Sequence, residues 1–255
     1  MTRFLAKPWI AAAKSWYEAA MGFLYAEVCQ ACEQQRATAS EGYVCAQCRA
    51  TVKFIAPPFC KKCGAIFEGE ITTMFECGNC KGIELCFTYA RAAVPARDVL
   101  MEMIHKYKYN KALWVEPFLT QLLIQIAGPV VQAEGWDLIV PVPLYRRREA
   151  EREFNQAERL GKALSKATGV PLSAGVLERT TDTRTQTRLS RSERAENVRR
   201  AFALKGHASA IKDRRIVLVD DVLTTGATAN AAARVLRRHG AAEVCAWTLA
   251  RGLLH

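Results

Sequence analysis

The sequence predicts an α/β protein: a parallel sheet flanked by helices, preceded by a small cysteine-rich domain and an N-terminal helix. Three observations lead to this fold class. Apolar runs of strand length alternate with helical segments from about residue 88. Eight of the ten cysteines lie between Cys29 and Cys80. Before them, apolar side chains recur at helical spacing. We expect domains at 1–28, 29–85 and 86–255.

Three strands and two helices can be delimited in the C-terminal region. The strands are DLIVPVPL (137–144), RRIVLVD (214–220) and AEVCAWTLA (242–250). The helices are NQAERLGKALSKATG (155–169) and TANAAARVLRRHG (228–240), and a glycine stops each of them. Apolar strands that alternate with helices indicate a parallel sheet covered on both faces.

The cysteines form four C-x2-C pairs with the spacing of metal sites. One such turn directs two sulfurs at an ion, and a second turn completes a tetrahedral zinc site. Burial alone cannot stabilise so short a segment, so we expect zinc to supply its folding free energy. Two structural zinc ions are predicted, each held by four successive cysteines; interleaved pairs, or redox or iron–sulfur chemistry, are the alternatives. The ligands are Cys29, Cys32, Cys45 and Cys48, then Cys60, Cys63, Cys77 and Cys80. Cys86 and Cys245 lack partners and are interpreted as small buried hydrophobes.

The basic residues are unevenly distributed along the chain. The formal net charge is +11, yet residues 1–90 carry 9 Lys/Arg against 8 Asp/Glu. The basic excess of the later region favours nucleic acid or a small phosphorylated ligand, with solubility as the alternative. Lys7 and Lys14 interrupt any signal peptide, and no run approaches a membrane span. We expect a cytoplasmic protein, in which thiols stay reduced.

The stretch IVLVDDVLTTGAT (216–228) combines acids with a hydroxyl-rich loop. Asp220 and Asp221 end a buried strand, where parallel sheets bind ligands. The following loop opens a helix, whose free N–H groups attract an anion, and Gly226 permits a close backbone approach. The loop suits a phosphate, and the carboxylates suit sugar hydroxyls or hydrated Mg²⁺. A phosphorylated sugar satisfies both requirements; an ordinary helix N-cap is the alternative.

This stretch resembles the phosphoribosyl-pyrophosphate motif of type I phosphoribosyltransferases. The resemblance implies that Asp220 and Asp221 hold the ribose hydroxyls in a Mg²⁺-dependent site. It also implies that these two acids are the catalytic residues. A type I phosphoribosyltransferase-like sheet is implied as well. The residues expected to cradle the 5′-phosphate are Thr224, Thr225, Gly226, Ala227 and Thr228.

Two further segments narrow the resemblance. PVPLYRRREAEREFNQAERL (141–160) and RTQTRLSRSERAENVRRAF (184–202) are similar to the ComF family, in which a double zinc ribbon precedes a phosphoribosyltransferase domain. The similarity runs from about Cys29 to Arg251. That family usually has Gly before Phe-Asn-Gln, where this chain has Glu153, so a close approach of ligand to that backbone is in doubt.

Other segments receive roles only through this resemblance. Val142 and Pro143 would shape the loop that receives pyrophosphate, and Arg146 or Arg147 would supply charge, a solvated basic helix start being the alternative. TQTRLSRSERAEN (185–197) would be a mobile lid or an ordinary exposed loop.

HKYKYNK (105–111) offers Lys106 and Lys108 as contacts to phosphate or base. The two lysines share a face only if the chain is extended, and a surface strand is the alternative interpretation.

The leading hypothesis is a Mg²⁺-dependent protein of the phosphoribosyltransferase type that binds phosphoribosyl pyrophosphate. Transfer would need orientation, charge neutralisation and exclusion of water, and no covalent nucleophile. The first alternative keeps the fold as a non-catalytic accessory, because ComF proteins are associated with DNA uptake in natural transformation and fold does not fix function. Competence or DNA-processing proteins would then be partners. The second alternative is direct binding of single-stranded DNA by the basic domain.

Overall fold

The computed structural model describes residues 27–67, 73, 75–78, 80–182 and 200–252. The predicted N-terminal helix, up to residue 26, and the predicted lid segment at 185–197 lie outside the described residues. Statements on structure below concern the described part of the chain.

Six strands and six α-helices make up the regular structure of the described residues. The strands are β1 (Ala90–Pro95), β2 (Leu138–Pro141), β3 (Leu177–Arg179), β4 (Phe202–Leu204), β5 (Arg215–Leu223) and β6 (Glu243–Arg251). The helices are α1 (Ala46–Ala50), α2 (Asp98–Tyr109), α3 (Glu116–Glu134), α4 (Arg146–Arg152), α5 (Gln156–Thr168) and α6 (Ala227–Arg238).

A four-stranded parallel sheet of order β1-β6-β5-β2 forms the centre of the molecule. Strands β3 and β4 form a separate antiparallel pair. The apolar run of β5 explains the central sheet, because its side chains alternate between two buried faces. Val217 and Val219 join the core on one face, while Ile216 and Leu218 join the core on the other.

Helices cover both faces of this sheet, as the sequence predicts. On the first face, α3 and α5 contribute Leu123 and Leu160 to the core. On the second face, Leu236 of α6 packs with Leu177 and Phe202 of the β3–β4 pair. The predicted parallel sheet with flanking helices is therefore confirmed.

The boundaries of the predicted strands differ from the observed ones. The expected strand at 137–144 is shorter, because β2 ends at Pro141. The expected strand at 214–220 is longer, because β5 continues through both aspartates to Leu223. The two predicted helices begin and end within one or two residues of α5 and α6.

Helix α3 is the apolar helix of the first face. With the turn before it, Leu113–Glu134 is the one candidate in the described chain with the length and mean hydropathy (1.2) needed to cross a membrane. The expectation that no run approaches a membrane span is therefore wrong by length and composition, although half of the apolar 18-residue window of this helix is buried within the protein. Its burial against the sheet accounts for its apolar character, since core helices of folded domains have the same composition.

The cysteine-rich region has little regular structure beyond α1 and a 3-10 turn at Ala39–Glu41. It is attached to the sheet domain by backbone hydrogen bonds. Ile55 donates to the Ala93 carbonyl at 2.9 Å, and Ala90 donates to the Lys62 carbonyl at 2.7 Å. The edge of β1 is thereby covered, which protects a strand that would otherwise expose unpaired backbone groups.

Candidate functional site

The two aspartates lie where β5 loses one of its neighbours. Pairing between β2 and β5 stops at Val219, whereas pairing between β5 and β6 continues to Leu223. The prediction that the acids end the strand is therefore wrong for β5 itself. They lie at the carboxyl edge of β2, where the missing partner strand leaves space beside them.

Asp221 is the more buried of the two acids. It is 7% exposed, and its Oδ2 lies 2.6 Å from Nζ of Lys108. Lys108 is itself mostly buried, at 16% side-chain exposure. Burying a carboxylate is costly unless it is paired with a cation, and this lysine provides the pairing.

Asp220 is partly buried and accepts a hydrogen bond at Oδ1 from the Asp221 N–H at 2.8 Å. Desolvation and then the neighbouring Asp221 charge raise its pKa from 3.8 to about 7, although Lys108 and Arg179 act in the opposite direction. When two carboxylates lie this close together, their repulsion favours protonation of one of them. Such a pair favours a cation or hydroxyl donors as ligands.

The loop after β5 turns sharply into α6. Gly226 is buried, has φ +83° and stands at the N-cap, a conformation that L side chains rarely adopt. Thr225 directs Oγ1 to the Ala227 N–H at 3.3 Å, so this hydroxyl is engaged in the turn. The first N–H groups of α6 point toward the start of the helix, where they favour an anion.

A small pocket, a cleft with a cavity volume of about 20 Å³ that is partly open to solvent, lies between the acid and the loop. The predicted site residues that line it are Val142, Asp220, Thr224, Gly226, Ala227 and Thr228. Thr225, Asp221 and Pro143 lie beside it in the chain, but they are not part of the lining. The structure thus brings the proposed phosphate loop, one acid and the loop after β2 to one cavity.

Lys106 and Lys108 point to different parts of the molecule because the segment is helical. The alternative interpretation of 105–111 as a surface strand is wrong, because α2 runs to Tyr109. Lys106 donates to the Gln30 carbonyl in the cysteine-rich region at 2.5 Å and pairs with Glu102 at 2.9 Å. Lys106 is therefore not at the pocket, whereas Lys108 reaches Asp221.

The loop after β2 is held by the start of α5. Val142 donates its N–H to the Val219 carbonyl at 2.9 Å and accepts at its own carbonyl from Nδ2 of Asn155 at 3.1 Å. Asn155 also caps α5 by accepting from the Ala157 N–H at 2.9 Å. One buried side chain therefore fixes both the helix and the loop.

The arginines after that loop are exposed or paired. Arg146 is exposed at the first position of α4. Arg147 pairs with Asp182 at 2.6 Å. Of the two arginines that the sequence offers, Arg146 is the one left without an ion pair among the described residues.

Arg179 and Thr248 are functional candidates that the sequence analysis missed. Arg179 of β3 acts electrostatically on Asp220. Thr248 of β6 is the strand partner of Asp220 and lines the pocket. Neither residue belongs to a recognisable motif, and only the pairing of β5 with β6 could have indicated Thr248.

The eight paired cysteines form two four-sulfur clusters, and the predicted sequential grouping is confirmed. Within each cluster the sulfurs lie within 4.8 Å of one another. Neighbouring sulfurs are 3.9 Å apart for Cys32 and Cys45, and 3.6 Å apart for Cys63 and Cys77. A tetrahedron with metal–sulfur bonds of 2.3 Å has edges of about 3.8 Å, so both clusters fit zinc.

Backbone groups prepare these clusters for a metal. The Cys45 N–H donates to the Cys29 sulfur at 3.2 Å, and the Cys77 N–H donates to the Cys60 sulfur at 3.3 Å. Burial acts to raise the pKa of Cys29, but such N–H donors outweigh it and lower the pKa to about 6. In each cluster the backbone therefore stabilises a thiolate, which is the form that binds zinc.

The remaining cysteines are outside both clusters. Cys245 is buried in the sheet and Cys86 is half-buried. Burial raises the pKa of Cys245 well above its ordinary value. Cys245 is thus confirmed as a buried apolar residue, and Cys86 only in part.

Comparisons with known proteins agree with this architecture. Residues 20–81 match the model of a double zinc ribbon domain, and residues 155–253 match that of a phosphoribosyl transferase domain. Competence protein F of Haemophilus influenzae is 32% identical over 211 residues, which cover 82% of this chain and 90% of that protein. The chain belongs to the ComF family.

Two further relatives support membership in the ComF family. The DNA utilization protein YhgH of Escherichia coli is 36% identical over 157 residues, covering 60% of this chain and 68% of that protein. Competence protein ComFC of Bacillus subtilis is 27% identical over 216 residues, covering 82% and 84% respectively.

The departure from the ComF pattern at Glu153 has a structural explanation. Glu153 ends α4 with φ +68°, in the left-handed region that favours glycine. Its side chain is exposed and forms an ion pair with Lys111. The backbone conformation typical of glycine is therefore kept in this chain, and the substituent points to solvent.

Proposed function

We propose that this ComF protein binds phosphoribosyl pyrophosphate with Mg²⁺ at the pocket of Asp220 and Thr224–Thr228, and that it serves DNA uptake or utilization in the cytoplasm. The observation that carries the proposal is the single cavity that joins a partly buried carboxylate to the glycine turn at the start of α6. The names of three relatives, which refer to competence and DNA utilization, support the cellular role.

Different parts of the pocket suit different groups of the ligand. The N–H groups at the start of α6 and the hydroxyls of Thr224 and Thr228 suit the 5′-phosphate. Asp220 suits the ribose hydroxyls, since an ionised carboxylate accepts hydrogen bonds only. Val142 lines the pocket, and the exposed Arg146 at the start of α4 would supply positive charge for the pyrophosphate.

The acid pair also fits magnesium. Burial and then the neighbouring Asp221 charge raise the pKa of Asp220, and a bound divalent cation would act in the opposite direction. Bound Mg²⁺ would neutralise charge on the pyrophosphate and prefers carboxylate and phosphate oxygens as ligands. Asp220 is the residue that would face it across the pocket.

Lys108 would change its partner when ligand binds. In the structure its ammonium group neutralises Asp221 at 2.6 Å. A ribose hydroxyl that donates to Asp221, or a phosphate oxygen near Lys108, would compete with this ion pair. The ion pair therefore holds a cation beside the acid before the ligand arrives, and we expect Lys108→Met to weaken binding of a phosphorylated ligand.

Titration calorimetry with phosphoribosyl pyrophosphate and Mg²⁺ tests the proposal. We expect saturable binding by the wild type and at least tenfold weaker binding by Asp220→Asn and Asp221→Asn, since each loses a charged acceptor. Asp213→Asn is the matched control, because Asp213 is exposed and remote from the pocket lining. Equal binding by all four proteins would overturn the proposal.

Release of pyrophosphate decides whether binding leads to transfer. A transferase should release pyrophosphate in the presence of some base or amine, and the wild type should do so more than Asp220→Asn. Binding without release across a broad panel of acceptors would assign the protein the non-catalytic accessory role.

Direct binding of single-stranded DNA is the second candidate function, supported by aromatic rings at the surface of the basic domain. Tyr109 is 61% exposed and Trp114 is 47% exposed. The His105 ring is tilted against the Tyr109 ring with 4.7 Å between the ring centres, and Arg152 lies 5.2 Å from the centre of the Tyr109 ring. Exposed rings beside cations suit stacked bases.

Fluorescence anisotropy with a labelled oligonucleotide tests this second candidate. Affinity should fall steeply with salt and should fall further in Tyr109→Ala. Met101→Ala is the matched control, because Met101 is similarly exposed but carries no ring. Affinity that is absent, or independent of salt, would remove this candidate.

A further inference from the structure

Arg251 is a fully buried arginine between the second cysteine cluster and the phosphate loop. It ends β6, is 1% exposed, and pairs across the sheet with Leu223 of β5. One terminal nitrogen, Nη1, donates to the Leu223 carbonyl at 2.7 Å, to the Gly252 carbonyl at 3.2 Å and to the Thr224 carbonyl. The other, Nη2, lies 3.6 Å from the sulfur of Cys63.

No carboxylate pairs with Arg251 among the described residues, and its Nε has no hydrogen-bond partner there. A buried cation is costly unless an anion compensates it. The compensating group is the Cys63 cluster, because a zinc ion with four thiolates carries a net negative charge. A neutral, metal-free thiol would be a much poorer acceptor for the guanidinium.

The cluster is also held rigidly against the sheet on the same side. Gly64, next to Cys63, packs so closely that a Cβ there would lie 2.8 Å from the Ala90 carbonyl. At the other end of the ribbon, Nδ2 of Asn230 in α6 donates to the Glu84 carbonyl at 3.0 Å. A change in the ribbon therefore reaches the sheet through packed contacts, and Arg251 connects it to the loop carbonyls.

We infer that Arg251 is a positioning residue that couples the second zinc centre to the phosphate loop. With the centre loaded, its negative charge keeps the guanidinium in place, and the guanidinium holds the carbonyls of Leu223 and Thr224. With the centre empty, the loop loses this support. The part of the inference that concerns ligand affinity rests on the proposed function, whereas the coupling of the loop to zinc does not.

Zinc retention and loop protection can be measured in the protein without ligand. In Arg251→Met we expect zinc at the second centre to be held about 10–100-fold more weakly, the usual effect of removing a partner of a metal ligand. Native mass spectrometry counts the ions, and alkylation of freed cysteines identifies the centre. Amide hydrogen exchange at Thr224–Gly226 should accelerate in the same variant.

Arg91→Met is the matched control. Arg91 also reaches the ribbon, since it donates to the Lys61 carbonyl at 3.0 Å, but its hydrogen bonds go neither to a sulfur nor to the phosphate loop. Exchange at Thr224–Gly226 should therefore be unchanged in this variant. If Arg91→Met loosens the loop as much as Arg251→Met does, or if Arg251→Met alters neither zinc nor the loop, the inference is wrong.

Reciprocal linkage gives a second measurement, with phosphoribosyl pyrophosphate and Mg²⁺ as the probe. Binding at one coupled site must strengthen binding at the other by the same factor, typically about 5–150-fold. The probe should slow zinc release from the second centre of the wild type and of Arg91→Met, and should leave the first centre unaffected. If the probe binds but the release of zinc from the second centre is unchanged, the inferred coupling is wrong.

Arg251→Lys keeps the inference testable if Arg251→Met does not fold. Lysine retains the charge but lacks the two terminal nitrogens that reach the loop and the sulfur together. We expect this variant to keep two zinc ions and to exchange faster at Thr224–Gly226. A wild type that binds no probe, yet shows zinc-dependent loop exchange, would count against the proposed function and not against the coupling.

Discussion

Asp220 combines partial burial with a second carboxylate beside it, and both effects raise its pKa to about 7. A carboxyl group whose pKa is higher in the folded than in the unfolded state binds its proton more tightly when folded. The free energy of unfolding must then fall as the pH rises from about 4 to about 7. The site thus costs stability at the pH where the acid pair would bind a ligand.

Asp220→Asn should abolish this contribution to the pH dependence. The variant cannot ionise at that position, so its advantage over the wild type should grow from pH 5 to pH 8. With a folded-state pKa of about 7, the gain between pH 5 and pH 8 is limited to roughly 2.7 kcal/mol, at about 1.36 kcal/mol for each pH unit from 5 to 7. Urea denaturation at both pH values measures it. A variant less stable than the wild type at pH 8 would contradict the assignment of the raised pKa.

Glu153 tests the role of backbone conformation at a single residue. Its φ of +68° strains every L side chain, by about 1 kcal/mol or more. Glu153→Gly and Glu153→Ala both remove the exposed ion pair with Lys111, but only glycine relieves the strain. We therefore expect the glycine variant to be more stable than the alanine variant by about 1 kcal/mol in thermal unfolding. Equal stabilities would show that this turn is not strained.

Residue types alone predicted the zinc ligands but only part of the pocket. The cysteine spacing indicates metal binding, because two successive C-x2-C turns are typical of zinc sites. Lys106 could not be placed correctly, since its direction depends on whether the segment is helix or strand. Arg251 could not be found at all, because its partners are 188 and 28 residues away along the chain.

At the scale of elements, the pairing of strands decides where the site lies. The sequence shows that an apolar strand meets two acids, but it does not show that β2 stops pairing at Val219 while β6 continues. Because β2 stops pairing with β5 before β6 does, space for the pocket is left beside β5. Helices α5 and α6 were predictable because polar residues mark their N-termini and glycines mark their C-termini. Helix α2 was not, because four of its last five residues are Lys and Tyr in alternation, a pattern that also fits a strand.

The start of α5 offers a test at this scale. Asn155→Ala removes both the cap and the hydrogen bond to Val142, and should cost about 1–3 kcal/mol of stability. Asn155→Ser is the matched control, because serine also caps helices but is too short to reach the Val142 carbonyl as well. Thermal unfolding should rank the serine variant between the alanine variant and the wild type. An alanine variant as stable as the wild type would show that the loop after β2 is held by other groups.

At the scale of the whole molecule, the ribbon and the sheet domain differ in what holds them together. The sheet domain has two apolar cores, one on each face. The small clusters of the ribbon consist mainly of the cysteines themselves. Composition separates these regions in the sequence, but it does not show that the ribbon covers the edge of β1 and reaches Arg251.

Zinc removal should therefore unfold the ribbon first. Metal ligation in structural sites contributes about 10–16 kcal/mol, as much as the whole stability of an ordinary domain. Without zinc, the sulfurs of each cluster lose the bonds that hold the turns of the ribbon together. We expect a chelator to expose residues 27–85 to limited proteolysis while 88–252 resist at first, because their cores do not depend on zinc. The melting temperature should fall, since the ribbon contacts to Ala90 and Asn230 are lost.

Two cysteine variants separate the loss of metal from the loss of a thiol. Cys32→Ser removes a ligand of the first cluster and should lower the zinc content from two ions to one, with faster cleavage of the ribbon. Cys86→Ser removes a half-buried thiol outside both clusters and should keep both ions. Re-addition of zinc should restore protease resistance to the chelated wild type. A ribbon that stays resistant after both ions have left would mean that its packing on the sheet, rather than metal ligation, holds it folded.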